Sequence, residues 1–394
     1  MGNNDSFTEV TSQSWLSRLG GAFKGILFGI VCVVGSVYLL WWNEGRAVKT
    51  AKTLEEGAGA VVSIDNDNVN PDHEGALVHL TGKANTEEIL EDNLFDVSVN
   101  GIKLRRNVEM YQWVEKRDSK SEKKLGGSEE TTTTYSYEKS WASSPVNSNN
   151  FKKTEGHENP SEFKYKATSR TASNVELGAF KLSSGLVDQI NAFKTLELES
   201  VDTTKVPNAK LSENVIFIGD DISNPQVGDM KVSFQVVSPS DVSLIARQVS
   251  NSFEPYKAKA GGNVFMLSMG NVSAESMFDS AKSTNTTTTW LLRFVGLFIM
   301  YAGFGMVLKP ISVIGDVVPF IGNILAVGIG IISGLASFSI SFVTISLAWI
   351  YYRPVLGITL LVVGGAAAFF AIQKINEKKK LKEAQKASES APAV

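Results

Sequence analysis

The sequence predicts an integral membrane protein. Four transmembrane helices, one N-terminal and three C-terminal, flank a large β-rich α+β domain on the extracytoplasmic or luminal side. Three observations predict it. Every long charge-free run lies near one end of the 394-residue chain or the other. The stretch between them alternates polar with β-branched and aromatic residues. A lysine-rich tail closes the chain. The averages conceal this division: 43% hydrophobic, 20% charged, net charge −3 and a mean hydropathy of zero describe two unlike parts added together.

Residues 1–24 form the expected cytoplasmic N-terminus. From Gly25 to Trp42 no residue is charged, and eighteen helical residues cover about 27 Å, close to the hydrocarbon thickness. Trp41 and Trp42 sit where an aromatic belt belongs. The run is too long for a cleaved signal peptide, and NEGRAVK follows it instead of a small-residue cleavage pattern. A second span is expected over 290–309, ended by Lys309 and Pro310. Residues 317–352 lack charge altogether and would measure about 54 Å as one helix. This reads as a partly buried, interfacial or re-entrant piece through VVPFIGNILAVG followed by one true span, within a 310–352 segment. Arg353-Pro354 then makes a turn into a last span over 353–373. In the tail, 374–394, lysines outnumber glutamates, which by the positive-inside tendency puts the tail and, with four spans, the N-terminus in the cytoplasm.

The middle block, 43–289, contains LVHLTG, NVEMYQWVE, TYSYEKSW, EFKYKAT, NVELGAFKL, NVIFIGD, DMKVSFQVV and NVFMLSMG as expected strands, punctuated by turn formers such as Asn100-Gly101 and Asn224-Pro225. Helices are expected only over SSGLVDQINAFKTL and over SAESMFDSAKS, the latter N-capped by Ser273 and leading into the second span. The hydrophilic KRDSKSEKKLGGSEETTTT is expected to loop out or be disordered at its start, although its threonine run could equally begin a strand. NPDHEGALVHLTG at 70–82 resembles NPQVGDMKVSFQ at 224–235, so the block reads either as two related β-subdomains or as two unrelated turn-plus-strand units.

The composition excludes several functions. One cysteine, Cys32, rules out a disulfide framework, and three histidines leave little for a zinc centre. No P-loop, GxSxG, HExxH or CxxC is present, so no catalytic residue, cofactor or metal is expected. The charge balance argues against nucleic acid. What remains is membrane packing. Gly21, Gly25 and Gly29 repeat at four-residue spacing, as do Gly330 with Gly334 and Ser333 with Ser337 and Ser341. Small residues at that spacing let helices approach closely, either between copies or within one chain. Lys103, Arg105 and Arg106 form a basic cluster that reads as a contact for lipid headgroups or an acidic partner, or as a solvated strand face.

NEGRAVKTAKTLEEG after the first apolar run, EGALVHLTG, and above all KLRRNVEMYQWVE carry a specific resemblance. It continues through NFKKTEGHENP, FKLSSGLVD, VGDMKVSF, IARQ, SAESMF and YYRP, in order, from about Leu16 to Ile372, and fades over 118–135 and the tail. The chain resembles the transmembrane protein 43 family, also called LUMA. The resemblance implies one N-terminal span, an extracytoplasmic domain and three C-terminal spans. It implies a membrane organiser or scaffold that associates with itself and with other membrane proteins. In a eukaryote these would be nuclear-envelope proteins such as emerin and lamins, at the endoplasmic reticulum and inner nuclear membrane; in a bacterium the location would be the inner membrane. The expected function is therefore a non-enzymatic scaffold that self-associates through its small-residue stripes and recruits partners through its β-rich domain. The alternative is a channel or transporter subunit with its pathway near the third span and Asn323.

Overall fold

In a computed structural model the structure describes residues 5–200, 205–355 and 357–359. The chain divides into two compact units. One is drawn from Met1–Arg18, Thr50–Thr284 and Gly315–Phe320, the other from Leu19–Lys49, Asn285–Ile314 and the chain from Ile321 onward.

The first unit is β-rich, as the alternation predicts. Its larger sheet contains β1 (Ser6–Gln13), β3 (Lys103–Lys123), β4 (Glu129–Ala142), β5 (Ala209–Ser212), β6 (Val215–Ile218) and β7 (Met230–Val237) in the order β1-β4-β3-β7-β6-β5. Thr168–Thr171 adds to β3 and Lys194–Thr195 to β7. All these pairings are antiparallel. A second sheet centres on β2 (Leu77–Asn85) and β8 (Ser240–Val249), paired from Ser240 with Ala84 to Arg247 with Leu77.

Side chains from both sheets enter one core, including Val78 and Leu80 from β2, Val108 and Met110 from β3, Val232 and Phe234 from β7, and Leu244 from β8. The two NP-turn-strand segments therefore become central strands of different sheets that share a core, not separate subdomains. The rings of Phe95, Tyr165 and Phe234 meet edge-on in that core. A smaller cluster joins Leu77 and Ile245 to Leu54, Met277 and Phe278. Strand β8 is thus covered on both faces, which explains its nearly unbroken burial.

Four local expectations are corrected. KRDSKSEKKLGGSEETTTT does not loop out at its start: it is the distal half of the β3–β4 hairpin, turned at Gly126 and Gly127, both with positive φ, and its threonine run is strand, the alternative its sequence left open. Its rungs are polar, with Ser119 bonded to Thr133 and Ser121 to Thr131. Hence no apolar alternation marks it. SSGLVDQINAFKTL gives only a single turn, Ser184–Val187, because Leu186, Val187 and Ile190 are all drawn into the core and Lys194–Thr195 pairs with β7. EFKYKAT is not a strand; Phe163 and Tyr165 pack inward from irregular chain and the strand begins at Thr168. Finally, Ser6–Gln13 is not a separate terminal segment. It is the edge strand beyond β4, in register from Ser6 with Ser136 to Gln13 with Glu129.

Three long helices follow from the apolar runs. They are α1 (Trp15–Ala60), α2 (Ala274–Gly315) and α3 (Pro319–Tyr352), each long and apolar enough to cross a membrane. Ser14 caps α1 by accepting from the Ser17 N–H. Ser273 caps α2 as its sequence promises, accepting from the Ser276 N–H at 3.3 Å. Two boundaries differ from expectation. Pro310 does not end α2, which continues to Gly315, and the 317–352 run holds one unbroken 34-residue helix from Pro319. In an apolar setting a helix has nowhere better to place its backbone amides, so a proline's missing bond is outweighed by continuing the helix. Residues 354, 355 and 357–359 are helical beyond a bend at Arg353; the remainder of the expected last span, and the tail, lie outside the described residues.

Two outcomes test this fold. Phe234→Ala removes a fully buried ring and should cost about 3–5 kcal/mol, read as a lowered melting temperature of the purified protein. Asp5, just ahead of β1, has its carboxyl held below the ordinary value by its hydrogen bond from His157 and then by that from Lys153. Its folded value lies under its unfolded one, so its contribution is present above the ordinary carboxylate range and lost as pH falls through the depressed value. Hydrogen-exchange protection of β1, corrected for intrinsic rates, should therefore fall on acidification, and Asp5→Asn should remove that dependence.

Candidate functional site

The second unit is built from apolar helices, and several of its polar side chains gather in one place. On α2, Asn285, Thr289 and Arg293 recur every four residues and so share a face. On α1, Asn43, Glu44 and Arg46 follow the apolar run directly, and α3 supplies Trp349. Glu44 is 1% exposed at its side chain. The Arg293 guanidinium grips it in a fork, Nε to Oε1 at 2.6 Å and NH2 to Oε2 at 2.9 Å, and the Trp349 indole N–H donates to Oε2 at 2.8 Å. Arg293 also lies over the Trp290 ring, 4.7 Å from its centroid, and 5.5 Å from that of Trp349.

A second row adjoins the first. Arg46 donates to Asn43 Oδ1, to Asn285 Oδ1 at 3.0 Å and to Thr289 Oγ1 at 2.9 Å. Asn43 Nδ2 donates to the Thr289 carbonyl at 3.0 Å, and Asn285 Nδ2 to the Ala47 carbonyl at 3.0 Å. Aromatic rings close around this end of the helices. A Cβ on Gly45 would meet the Tyr352 ring at 2.6 Å, and Trp41 lies 5.6 Å from Tyr351 and 5.9 Å from Tyr352.

Chemically, this arrangement is a joint. Both carboxylate oxygens of Glu44 are taken by protein donors, and all three helices contribute to the same constellation. Among the described residues no group of three His, Cys, Asp or Glu could hold a metal.

The expected packing residues fall into separate groups. Gly29 meets α2: a Cβ there would lie 2.7 Å from the Gly303 carbonyl oxygen, and one on Gly303 would lie 2.9 Å from that of Gly29. Gly21 and Gly25, from the same stripe, have open space where a Cβ would go. Gly330 and Gly334 face Tyr301 at ordinary contact distances. Ser333, Ser337 and Ser341 are buried; Ser337 bonds back to the Ser333 carbonyl and Ser341 reaches Met300 Sδ on α2. The serine stripe of α3 is thus buried within one chain, with the Ser333 hydroxyl left without a hydrogen-bond partner.

Lys103, Arg105 and Arg106 are found in the β-rich unit. Lys103 is buried, which pushes its ammonium below its ordinary range, and it donates to the Asp188 carbonyl and to Asn191. Arg106 NH1 donates to both carboxylate oxygens of Asp92, and Arg105 covers the Phe193 ring. Two of these three cations are spent on internal partners, and the exposed Arg105 is stacked. The Glu44–Arg293–Trp349 joint escaped the sequence reading. Each charge sits at the end of an apolar run, where it looks like an ordinary flank; the four-residue spacing of Asn285, Thr289 and Arg293 was the available signal.

Long apolar helices with a polar joint between them, together with a β-rich unit, define an integral membrane protein. Comparison gives the family. The family model for transmembrane protein 43 matches residues 110–354. The chain is similar to transmembrane protein 43 of Mus musculus, 35% identical over 88% of this chain and 90% of that protein, and to that of Homo sapiens, 34% identical over 88% and 89%. A transmembrane protein 43 homolog of Drosophila melanogaster is 29% identical over 86% of this chain and 92% of its own length. This chain belongs to the transmembrane protein 43 family. No solved structure matches it.

The joint yields a mutational cycle. Arg293→Met leaves the Glu44 carboxylate buried without its main partner and should destabilise the protein by about 3–5 kcal/mol. Glu44→Leu combined with Arg293→Met removes both charges and should recover most of that loss. Thermal unfolding in one detergent reads both variants against the parent protein; equal melting temperatures for the single and double variants would show that no uncompensated charge arises.

Proposed function

We propose that this protein is a non-enzymatic membrane scaffold that associates with copies of itself through the exposed part of the α1 small-residue stripe and gathers partner membrane proteins through its β-rich unit. The observation that carries the reading is the division of the stripe. Gly29 is used up inside the chain against Gly303, whereas Gly25 and Gly21, one and two turns earlier, leave bare backbone open on α1 among the described residues. Bare helical backbone favours another helix, since lipid chains cannot match the close contact and the weak Cα–H to carbonyl bonds that two glycine-lined surfaces make. The buried charges support the same role: in the joint they tie helices together, with no carboxylate oxygen of Glu44 left for a substrate. Partner recruitment and the compartment, whether endoplasmic reticulum and inner nuclear membrane or a bacterial inner membrane, extend the family resemblance to this chain. The channel alternative has less behind it: Ser333, Ser337 and Ser341 are buried inside the helical unit, and the hydroxyls of Ser337 and Ser341 are bonded there.

Native mass spectrometry of the protein in nanodiscs tests the reading. Gly21→Leu with Gly25→Leu should shift oligomers to monomer and leave the melting temperature nearly unchanged. Gly29→Leu should instead destabilise each protomer, because its side chain would strike the Gly303 carbonyl. A wild-type protein that is monomeric at all concentrations would overturn the scaffold.

A further inference from the structure

The far end of the β3–β4 hairpin is built with more care than a solvent loop requires. Three segments distant in sequence meet there, all in the β-rich unit: the start of α1, the hairpin turn, and the α2–α3 connector. Asp316 in the connector is 1% exposed at its side chain and accepts from Arg18 NH2 at 2.6 Å and from Lys123 Nζ at 2.8 Å. Arg18 also donates from Nε to Glu129 at 2.9 Å and from NH1 to the Gly127 carbonyl at 2.6 Å. The Gly126 N–H donates to the Val317 carbonyl at 3.0 Å. The Trp15 side chain packs so closely on Gly127 that a Cβ would not fit, and the positive φ of Gly127 independently favours glycine. These bonds hold the turn rigidly against the connector.

What the clamp displays is apolar. Leu125, at the tip of the turn, is 84% exposed; Phe320 is 74% and Leu16 72% exposed, with Val317 and Val318 beside them at 45% and 44%. Leucine at the most exposed point of a hydrophilic hairpin, flanked by Lys123, Lys124 and two glycines, has no packing role inside the chain. The formal charges around it cancel: Arg18, Lys120, Lys123 and Lys124 stand against Glu122, Glu129, Glu130 and Asp316.

We propose that this end of the hairpin is a lipid-contacting foot, in which Leu125, Leu16, Val317, Val318 and Phe320 enter the interfacial zone of the bilayer. The occupant follows from chain continuity. Leu16 lies in the first turn of α1, Phe320 in the first turn of α3, and Val317 and Val318 join α2 to α3, so the displayed residues are continuous with three helices apolar enough to lie in the membrane. Apolar side chains carried on a rigid, charge-balanced turn insert by burying area, not by attraction to acidic headgroups. The foot therefore binds zwitterionic lipid as well as anionic lipid.

The test uses the full chain in phosphatidylcholine nanodiscs, with Cys32→Ala as background and a single environment-sensitive dye at Leu125→Cys or, separately, at Phe320→Cys. The expected result is a blue-shifted emission and quenching by lipids carrying a shallow doxyl group that exceeds quenching by aqueous iodide by roughly twofold or more, as interfacial burial demands. Adding phosphatidylserine should not strengthen it. Dyes at both positions that iodide quenches and doxyl lipid does not would overturn the proposal, as would dyes shielded from both quenchers, which would mean a protein partner. A dependence on anionic lipid would overturn the charge-neutral mechanism. Leu125 is exposed and touches nothing that folding needs, so its variant should fold normally.

Discussion

A carboxylate shut among apolar helices has to be matched, and Glu44 is matched by all the means available to it. An unpaired charge in such surroundings costs several kcal/mol, and a paired one is tolerated only when geometry and hydrogen bonding are close to ideal. The Arg293 fork and the Trp349 indole meet that demand together. Because the acceptor is on α1, the guanidinium on α2 and the indole on α3, no helix can leave without stranding a polar group. The rest of the helical unit is arranged around this condition. Leu40 with Gly296, Asn43 with Thr289 and Arg46 with Asn285 run antiparallel along α1 and α2, and Gly29 with Gly303 continues the same seam. Arg293 with Trp349, Met300 with Ser341 and Ser312 with Gly322 run antiparallel along α2 and α3.

The seam between α1 and α2 uses two unlike kinds of contact, and their order along the helices has a physical logic. Toward Gly29 the helices touch backbone to backbone, which lipid-soluble helices achieve only where side chains are absent. Toward Arg46 they touch through charges and amides, which need partners but are tolerant of distance. A glycine pair sets how close the helices come; a charged joint sets their rotation and register. Neither does the other's work, so the open glycines further along α1 are not redundant with Gly29. They extend the surface that makes close approach possible beyond Gly29, with open space beside both among the described residues.

Much of the architecture was legible in the sequence, and the exceptions share a cause. The apolar runs, the strands at 77–85 and 230–237 and the Ser273 cap were readable because each is a local pattern: a hydrophobic length, an alternation, a capping residue. The distal hairpin was not, because its rungs are Ser119 with Thr133 and Ser121 with Thr131, both polar and without an apolar face. Strand β1 was hidden likewise, since Phe7 and Val10 are exposed and its pairing is with residues more than a hundred positions away. The SSGLVDQI periodicity was real, but the core drew those same apolar residues inward from irregular chain. The Glu44 joint is the clearest case. Glu44 and Arg293 are 249 positions apart, and each alone is indistinguishable from the charged border that any membrane helix carries.

The strand that precedes α1 adds a constraint on how the chain can meet the bilayer. Counting apolar runs assigns residues before Gly25 and residues after Trp42 to opposite faces. The sheet joins them: β1 pairs with β4 along eight residues, and His157 and Lys153 hold Asp5. The ribbon that makes this junction is extended backbone with open edges, and its β3 strand carries Glu115, Lys116, Arg117, Asp118, Lys120 and Glu122. Extended backbone with an open edge is not stable in hydrocarbon, and neither are those charges. Parity of spans treats the segment ahead of the first helix as free. In this fold that segment is fixed by eight strand partners, and the sidedness of the whole chain has to be consistent with them.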